Sequence, residues 1–342
     1  MTLQALTDRI RDAADRKTAL RLRGGGSKDF FGNAPRGEVL DTRGYAGIVA
    51  YEPSELVVTA RCGTPLLEVE RALAEHGQCL PFEPPHFGAA TFGGCIAAGL
   101  SGPGRASAGA LRDFVLGVRL VDGRGRVLQF GGQVMKNVAG YDISRLVAGS
   151  LGTLGLIAEA SMKVLPRAPM ETTRRLEMDE TAALEAMNRW AGEPLAVSAT
   201  AWHARVLHVR LSGSAPAVEA AARRIGGAEA NFDWPALREQ AHPFFAGDAP
   251  LWRLSVPSVT PPLGGAPLLE WGGALRWVRG EGQGLRDSAK RAGGHATLFR
   301  AADKTLGAFQ PLEPVVLRLH RELKSAFDPA GILNPGRLYA EL

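Results

Sequence analysis

The sequence predicts an α+β protein of two domains: a glycine-rich, ligand-approaching part and a smaller α+β domain on an antiparallel sheet. Three observations carry this. The chain has 342 residues, more than a single core usually serves. Residues 89–165 hold the densest run of its 42 glycines, many of them interrupting apolar runs. After Pro166 the texture changes to alternating strand-like and helix-like segments with a proline-rich middle, the pattern of an α+β unit.

Taken in order, Leu3, Leu6, Ile10 and Ala13 recur at helical spacing, with Thr2 as N-cap. A short strand over 19–22 leads into Arg23-Gly24-Gly25-Gly26-Ser27-Lys28. Three consecutive glycines after a strand expose successive backbone N–H groups that can wrap a pyrophosphate, and Arg23, Ser27 and Lys28 add donors and charge. The spacing is not that of a Walker A loop. Strands follow over 47–51 and 56–60, then a helix begun by Thr64 as N-cap and Pro65 at its first position, with Leu66, Val69 and Leu73 inward and Gly77 as the stop.

The central stretch reads Ala90-Thr91-Phe92-Gly93-Gly94, then Gly99, Ser101, Gly102 and Gly104 before Arg105, Ser107 and Asp113. A hairpin follows, with strands over 116–120 and 127–130 turning at Gly123 and Gly125. The stretch closes on Gly149-Ser150-Leu151-Gly152-Thr153-Leu154-Gly155-Leu156-Ile157. Gly93, Gly94, Gly99, Gly102, Gly104, Gly149, Gly152 and Gly155 lie outside turns, so close approach to a ligand is the reading preferred over punctuation.

In the second domain, strands are expected over 174–178, 195–202, 205–211, 252–256, 268–271, 274–278 and 297–300, with helices over 180–190 and 217–225 and a loop over 257–267. Leu207, Val209 and Leu211 share one strand face and His208 takes the other. His203 and His208, five positions apart, fall on opposite faces, which argues against a metal pair. A last helix runs from Pro314 on Val316, Leu319, Leu323 and Phe327 and ends at Asp328-Pro329.

Composition narrows the function. Net charge is +5 with no Lys/Arg block interleaved with aromatics, so nucleic acid is not indicated, while a pI of about 9.3 suits an anionic ligand or an acidic partner. Cys62, Cys79 and Cys95 form no Cys-x-x-Cys, which speaks for a reducing compartment and against disulfides, zinc knuckles or iron–sulfur ligation. The first residues do not form a signal peptide, and the longest uncharged apolar run, near 89–103, is too short and glycine-rich to span a bilayer. The expected location is cytoplasmic, or peripheral at the inner membrane through partners.

Five motifs in one order resemble the FAD-binding superfamily of vanillyl-alcohol oxidase and p-cresol methylhydroxylase. They are Arg23–Ser27, Ala90–Gly94, Lys136 with Gly140-Tyr141-Asp142, Gly149-Ser150 with Gly152–Gly155, and Asn334-Pro335-Gly336. Within it the wording is similar to the FAD-binding E subunits of bacterial glycolate oxidases. The resemblance covers about 20–165 and 314–338. It implies a two-subdomain FAD-binding fold over 1–168, divided near 53, a cap domain over 169–310, and a C-terminal return over 311–342.

It also implies roles. Gly24–Lys28 would hold the FAD pyrophosphate, and Thr91, Gly93 and Gly94 would lie along flavin and pyrophosphate. Gly99, Ser101, Gly102, Arg105, Ser107 and Asp113 would shape the next flavin-facing loop. Gly149, Ser150, Gly152, Thr153, Gly155 and Ile157 would line the adenine half, and Asn334 would approach the isoalloxazine. Tyr141 and Asp142 would be structural. Covalent members often carry His where Ser27 stands, so dissociable FAD is expected.

The implied activity is oxidation of a small 2-hydroxy acid, glycolate to glyoxylate, in a hetero-oligomer with a larger flavoprotein subunit and an iron–sulfur subunit. The His-x-Gly-Asp-Gly-Asn-x-His run of the catalytic D-2-hydroxy-acid dehydrogenases is absent. This leaves open a flavin-bearing assembly subunit with no catalytic site of its own. No catalytic residue is assigned, His86 and His320 being candidates for a base by position only. An NAD enzyme is disfavoured because no strand–Gly-x-Gly-x-x-Gly–helix unit is followed by a ribose-binding acid. A cell-wall reductase with a similar FAD fold is disfavoured by the Gly-Tyr-Asp to Gly-Ser-x-Gly-Thr wording.

Overall fold

The computed structural model describes residues 1–132 and 142–342. Lys136, Gly140 and Tyr141 lie outside the described residues. The first helix, Leu3–Arg16, begins as its cap dictates: Thr2 Oγ1 accepts from Ala5 N at 3.2 Å, and Leu6, Ile10 and Ala13 are fully buried. They pack on the strand Leu20–Arg23, which pairs in parallel with Glu38–Asp41. Leu20 also forms a parallel bridge with Leu333, so the C-terminus returns beside the first strand.

Five antiparallel strands make the second layer, in the spatial order Ile48–Glu52, Val57–Arg61, Leu156–Lys163, Val115–Val121 and Val127–Gly131. Helices Leu66–Ala74 and Phe92–Ala98 contribute Leu66, Val69, Phe92 and Ile96 to its core, beside Val58, Val118 and Met162. The central strand is buried between two neighbours and still carries Glu159. Its carboxylate accepts from the Tyr45 hydroxyl and, at 2.9 Å, from Arg119.

Gln78–Cys79 and Leu165–Pro166 form a short antiparallel pair, and the remaining strands form one eight-stranded antiparallel sheet. Its order is Ala228–Glu229, Met170–Glu177, Val206–Gly213, Val197–His203, Leu268–Glu270, Leu275–Arg279, Leu251–Ser255 and His295–Arg300. Strand parity divides it. Leu207, Val209 and Leu211 bury against helices Glu180–Ala191 and Ala215–Ile225. On the opposite face His208 stacks on Phe232 at 4.2 Å, and desolvation pulls its pKa down to about 4. Also away from the helices, Ala201, Leu251, Trp277 and Phe299 join Phe31, Ala98, Leu100 and Leu151 of the glycine-rich part in a single apolar cluster. The two parts therefore share a core along one seam.

Two expectations differ from the structure. Thr64 does not cap the following helix: its hydroxyl donates to Arg61 O at 2.8 Å and accepts from Gly47 N at 2.9 Å, and the helix starts at Leu66 after Pro65. The hydroxyl is used to hold a neighbouring turn. The helix Pro314–Phe327 forms, but only the end of its apolar stripe meets the core: Phe327 packs against it, Val316 is 40% and Leu319 50% exposed, and Lys324 is the helix's one buried residue.

Candidate functional site

The end of the first strand, the loop 23–29 and the segments 91–98 and 151–157 line an open cleft. Arg23, Gly24, Gly25, Gly26, Ser27, Lys28, Thr91, Gly93, Gly94, Gly152, Gly155, Ile157 and Asn334 all line it. The backbone N–H groups of Gly24 through Lys28 have no acceptor among the described residues. Five consecutive free donors in a turn with Gly26 at φ +74° form a concave nest for an anion. Positive charge surrounds it. Lys28 is pulled below its ordinary pKa by burial, with its Nζ anchored on His86 O at 3.1 Å. Arg21 and Arg23 both pair with Asp29.

The glycines also serve a purpose that their spacing did not reveal. A Cβ on Gly25 would stand 1.4 Å from Ala89 O, one on Gly24 2.1 Å from Thr91 Oγ1, and one on Gly93 2.6 Å from Cys62 Cβ. These residues let protein backbones touch, and the cleft is narrow because its walls do. Thr91 is itself an N-cap, accepting from Gly94 N at 3.3 Å. Gly99 ends that helix in the left-handed region, with Gly149 so close that a Cβ there would meet its Cα at 2.7 Å.

The C-terminal return closes the cleft. Asn334 sits at φ +43°, accepts from Leu22 N at 2.8 Å and donates to Leu151 O at 2.6 Å. Both ends of its amide are thus engaged in joining three segments. Sequence reasoning missed two further fasteners. The Arg337 guanidinium donates to the Asn33 and Phe31 carbonyls, and burial lowers its pKa to about 10. Lys324 pairs with the fully buried Asp328 at 2.7 Å and donates to Thr153 O and Leu333 O. A lysine four residues before Asp328, off the helix's apolar stripe, was the available signal.

Other expected site residues lie elsewhere. Ser101 and Gly102 border a second cavity; Ser101 Oγ accepts from Leu111 N and Gly102 O from Trp271 Nε1. The Arg105 guanidinium lies over the Trp271 ring at 4.5 Å. Ser107 borders a broad groove with Glu83 and Arg210, and Asp113 receives the N–H of Ala110 at a short helix start. Gly149, Ser150 and Thr153 border a separate pocket with Lys324 and Leu323, outside the cleft lining. Asp142 caps the helix Ile143–Leu146. Of the two histidines, His86 Nε2 lies 2.9 Å from Glu70, and His320 lies on the C-terminal helix with Nδ1 2.9 Å from Val316 O, outside the cleft lining.

An anion nest, a long cleft and a returning C-terminus match what the comparisons with known proteins find. The "FAD binding domain" family matches residues 2–131, and the "FAD linked oxidases, C-terminal domain" family matches 310–338. The glycolate oxidase subunit GlcE of Escherichia coli is 48% identical over 99% of this chain and 98% of its own length. The chain belongs to the GlcE family. FAD is its cofactor. The glycolate oxidase subunit GlcD of Bacillus subtilis is 33% identical over 44% of the chain and 33% of its own length. A solved alkyldihydroxyacetonephosphate synthase, 15% identical, superposes over 97% of this chain and 75% of its own with a TM-score of 0.69, which shows the shared fold. No helix among the described residues is long and apolar enough to cross a membrane.

Proposed function

We propose that the chain is the FAD-binding subunit of a glycolate oxidase, taking part in oxidation of glycolate to glyoxylate and passing electrons to a larger flavoprotein subunit and an iron–sulfur subunit. Near-complete alignment with GlcE at 48% identity carries this reading. The five free N–H groups of Gly24–Lys28 hold the FAD pyrophosphate, Thr91, Gly93 and Gly94 flank it, and Gly152, Gly155 and Ile157 line the adenine half. Bound FAD supplies a two-electron oxidant.

The flavin is held without a covalent bond in this reading. Ser27 offers no imidazole. Cys62, the cysteine lining the cleft, has its thiol pushed up to about 12 by burial, so it stays protonated and is a poor nucleophile. The chain works in the cytoplasm and reaches the inner membrane through its partners. Acid precipitation of the purified yellow protein should release all flavin as free FAD; flavin remaining in the pellet would refute the non-covalent attachment. Anaerobic glycolate should then bleach the holoprotein. Bleaching only after the partner subunits are added assigns the chain the assembly role instead.

A further inference from the structure

A second, small cavity lies on the seam between the glycine-rich part and the cap sheet. Phe87 and Leu100 close one side of it, and the Lys28 ammonium of the FAD cleft sits 5.6 Å from the same Phe87 ring. The other side is one face of the sheet. Arg253 stands opposite Trp277 in the strand register, Trp277 opposite Leu268, and Glu270 lies two residues beyond Leu268. Period-two alternation therefore aims Arg253, Trp277 and Glu270 into the same space.

Arg253 has neither a hydrogen-bond acceptor nor an ion-pair partner among the described residues; its guanidinium rests 5.1 Å from the Trp271 ring. Burial lowers its pKa to about 10. Glu270 is 4% exposed, and its Oε1 accepts from Trp277 Nε1 at 2.7 Å, leaving Oε2 free. Gln240 Oε1 is taken by Arg300, which leaves its NH₂ to donate. Arg253 is half-buried, and a desolvated guanidinium left open beside a free carboxyl oxygen and a free amide marks a place for a ligand's own charge.

We propose that this cavity binds a small 2-hydroxycarboxylate, its carboxylate on Arg253 and its hydroxyl on Glu270 Oε2. The assignment rests on the hydroxy-acid reading above and gives it a substrate site. Trp277, Phe299 and Leu275 wall the space, so short 2-substituents are selected. Burial raises Glu270 to about 7. The charged groups around it are Arg253, the Glu83 carboxylate, and Arg238, whose guanidinium is paired with Glu239; Arg105 and His295 face Arg253. Below about pH 7 Glu270 is neutral and tolerates an anion; above it, the carboxylate repels one.

The test is titration of the FAD-loaded chain with glycolate, read by calorimetry and tryptophan fluorescence at pH 6 and 8, with flavin content measured in parallel. Wild type should bind more tightly at pH 6. Arg253→Met should weaken binding roughly 10- to 100-fold with flavin content unchanged, the scale of a lost charge-assisted contact. Glu270→Gln should still bind glycolate but lose the pH dependence. If Arg253→Met does not fold, Glu270→Gln and Arg253→Lys decide. Affinity unchanged in the arginine variants, or a pH dependence that survives in Glu270→Gln, overturns the assignment. A wild-type chain that takes up no FAD refutes the proposed function instead, and that is read from colour, independently of glycolate binding.

Discussion

Lys324→Met tests whether the C-terminal return is held by a buried charge rather than by an apolar face. Its ammonium makes three contacts: Asp328 Oδ2 at 2.7 Å, Leu333 O at 2.7 Å and Thr153 O at 2.9 Å. Asp328 is 1% exposed and also accepts from Leu333 N at 2.7 Å and Ile332 N at 3.2 Å. Methionine fills similar volume but leaves a buried carboxylate without its cation and two carbonyls without a donor. Removing one partner of a buried pair costs about 3–5 kcal/mol. The loss falls on the segment carrying Leu333, Asn334 and Arg337, the last two of which line the FAD cleft. FAD retention should therefore fall together with stability.

The assays are denaturant unfolding and FAD dissociation by fluorescence. Lys324→Met with Asp328→Asn should recover part of the loss, because the stranded charge is gone while one acceptor remains. A single variant within about 1 kcal/mol of wild type, the scale of an exposed pair, with full flavin would refute the argument.

Arg210→Met removes a cation that ties the cap sheet to Glu83 of the glycine-rich part at 2.7 Å; hydrogen exchange in residues 80–85 and 102–105 should rise, and unchanged protection there would refute the tie. Tyr45 is pushed up to about 12, first by burial and then by its bond to Glu159. Its folded value lies above the unfolded one, so its contribution to stability is complete below about pH 10 and is lost as pH rises towards 12. Tyr45→Phe should flatten stability over that window, measured by urea unfolding at pH 9 and 11; equal slopes in the two proteins would refute the assignment. Asn334→Ala deletes two buried hydrogen bonds joining Leu22, Leu151 and the return, and should cost about 2–4 kcal/mol and lower flavin content, by thermal unfolding and absorbance.

The sequence by itself determined the order of elements and the nest. Local chemistry suffices for these: Thr2 caps its helix, period-two alternation makes the cap strands, and consecutive glycines after a strand leave amides unpaired. It could not tell what the glycines approach, because a missing Cβ looks the same whether it yields to a ligand or to Ala89 O and Cys62. Nor could it show which helix face is buried: Val316 and Leu319 of the 314–327 stripe stay exposed while a lysine faces in, since the carbonyls of Thr153 and Leu333 converge there only after folding. Arg253 and Glu270 are 17 residues apart in sequence and carry no motif. Sheet register alone put them on one face of one cavity, because strand pairing converts distant sequence positions into neighbours and parity then decides which way each side chain points.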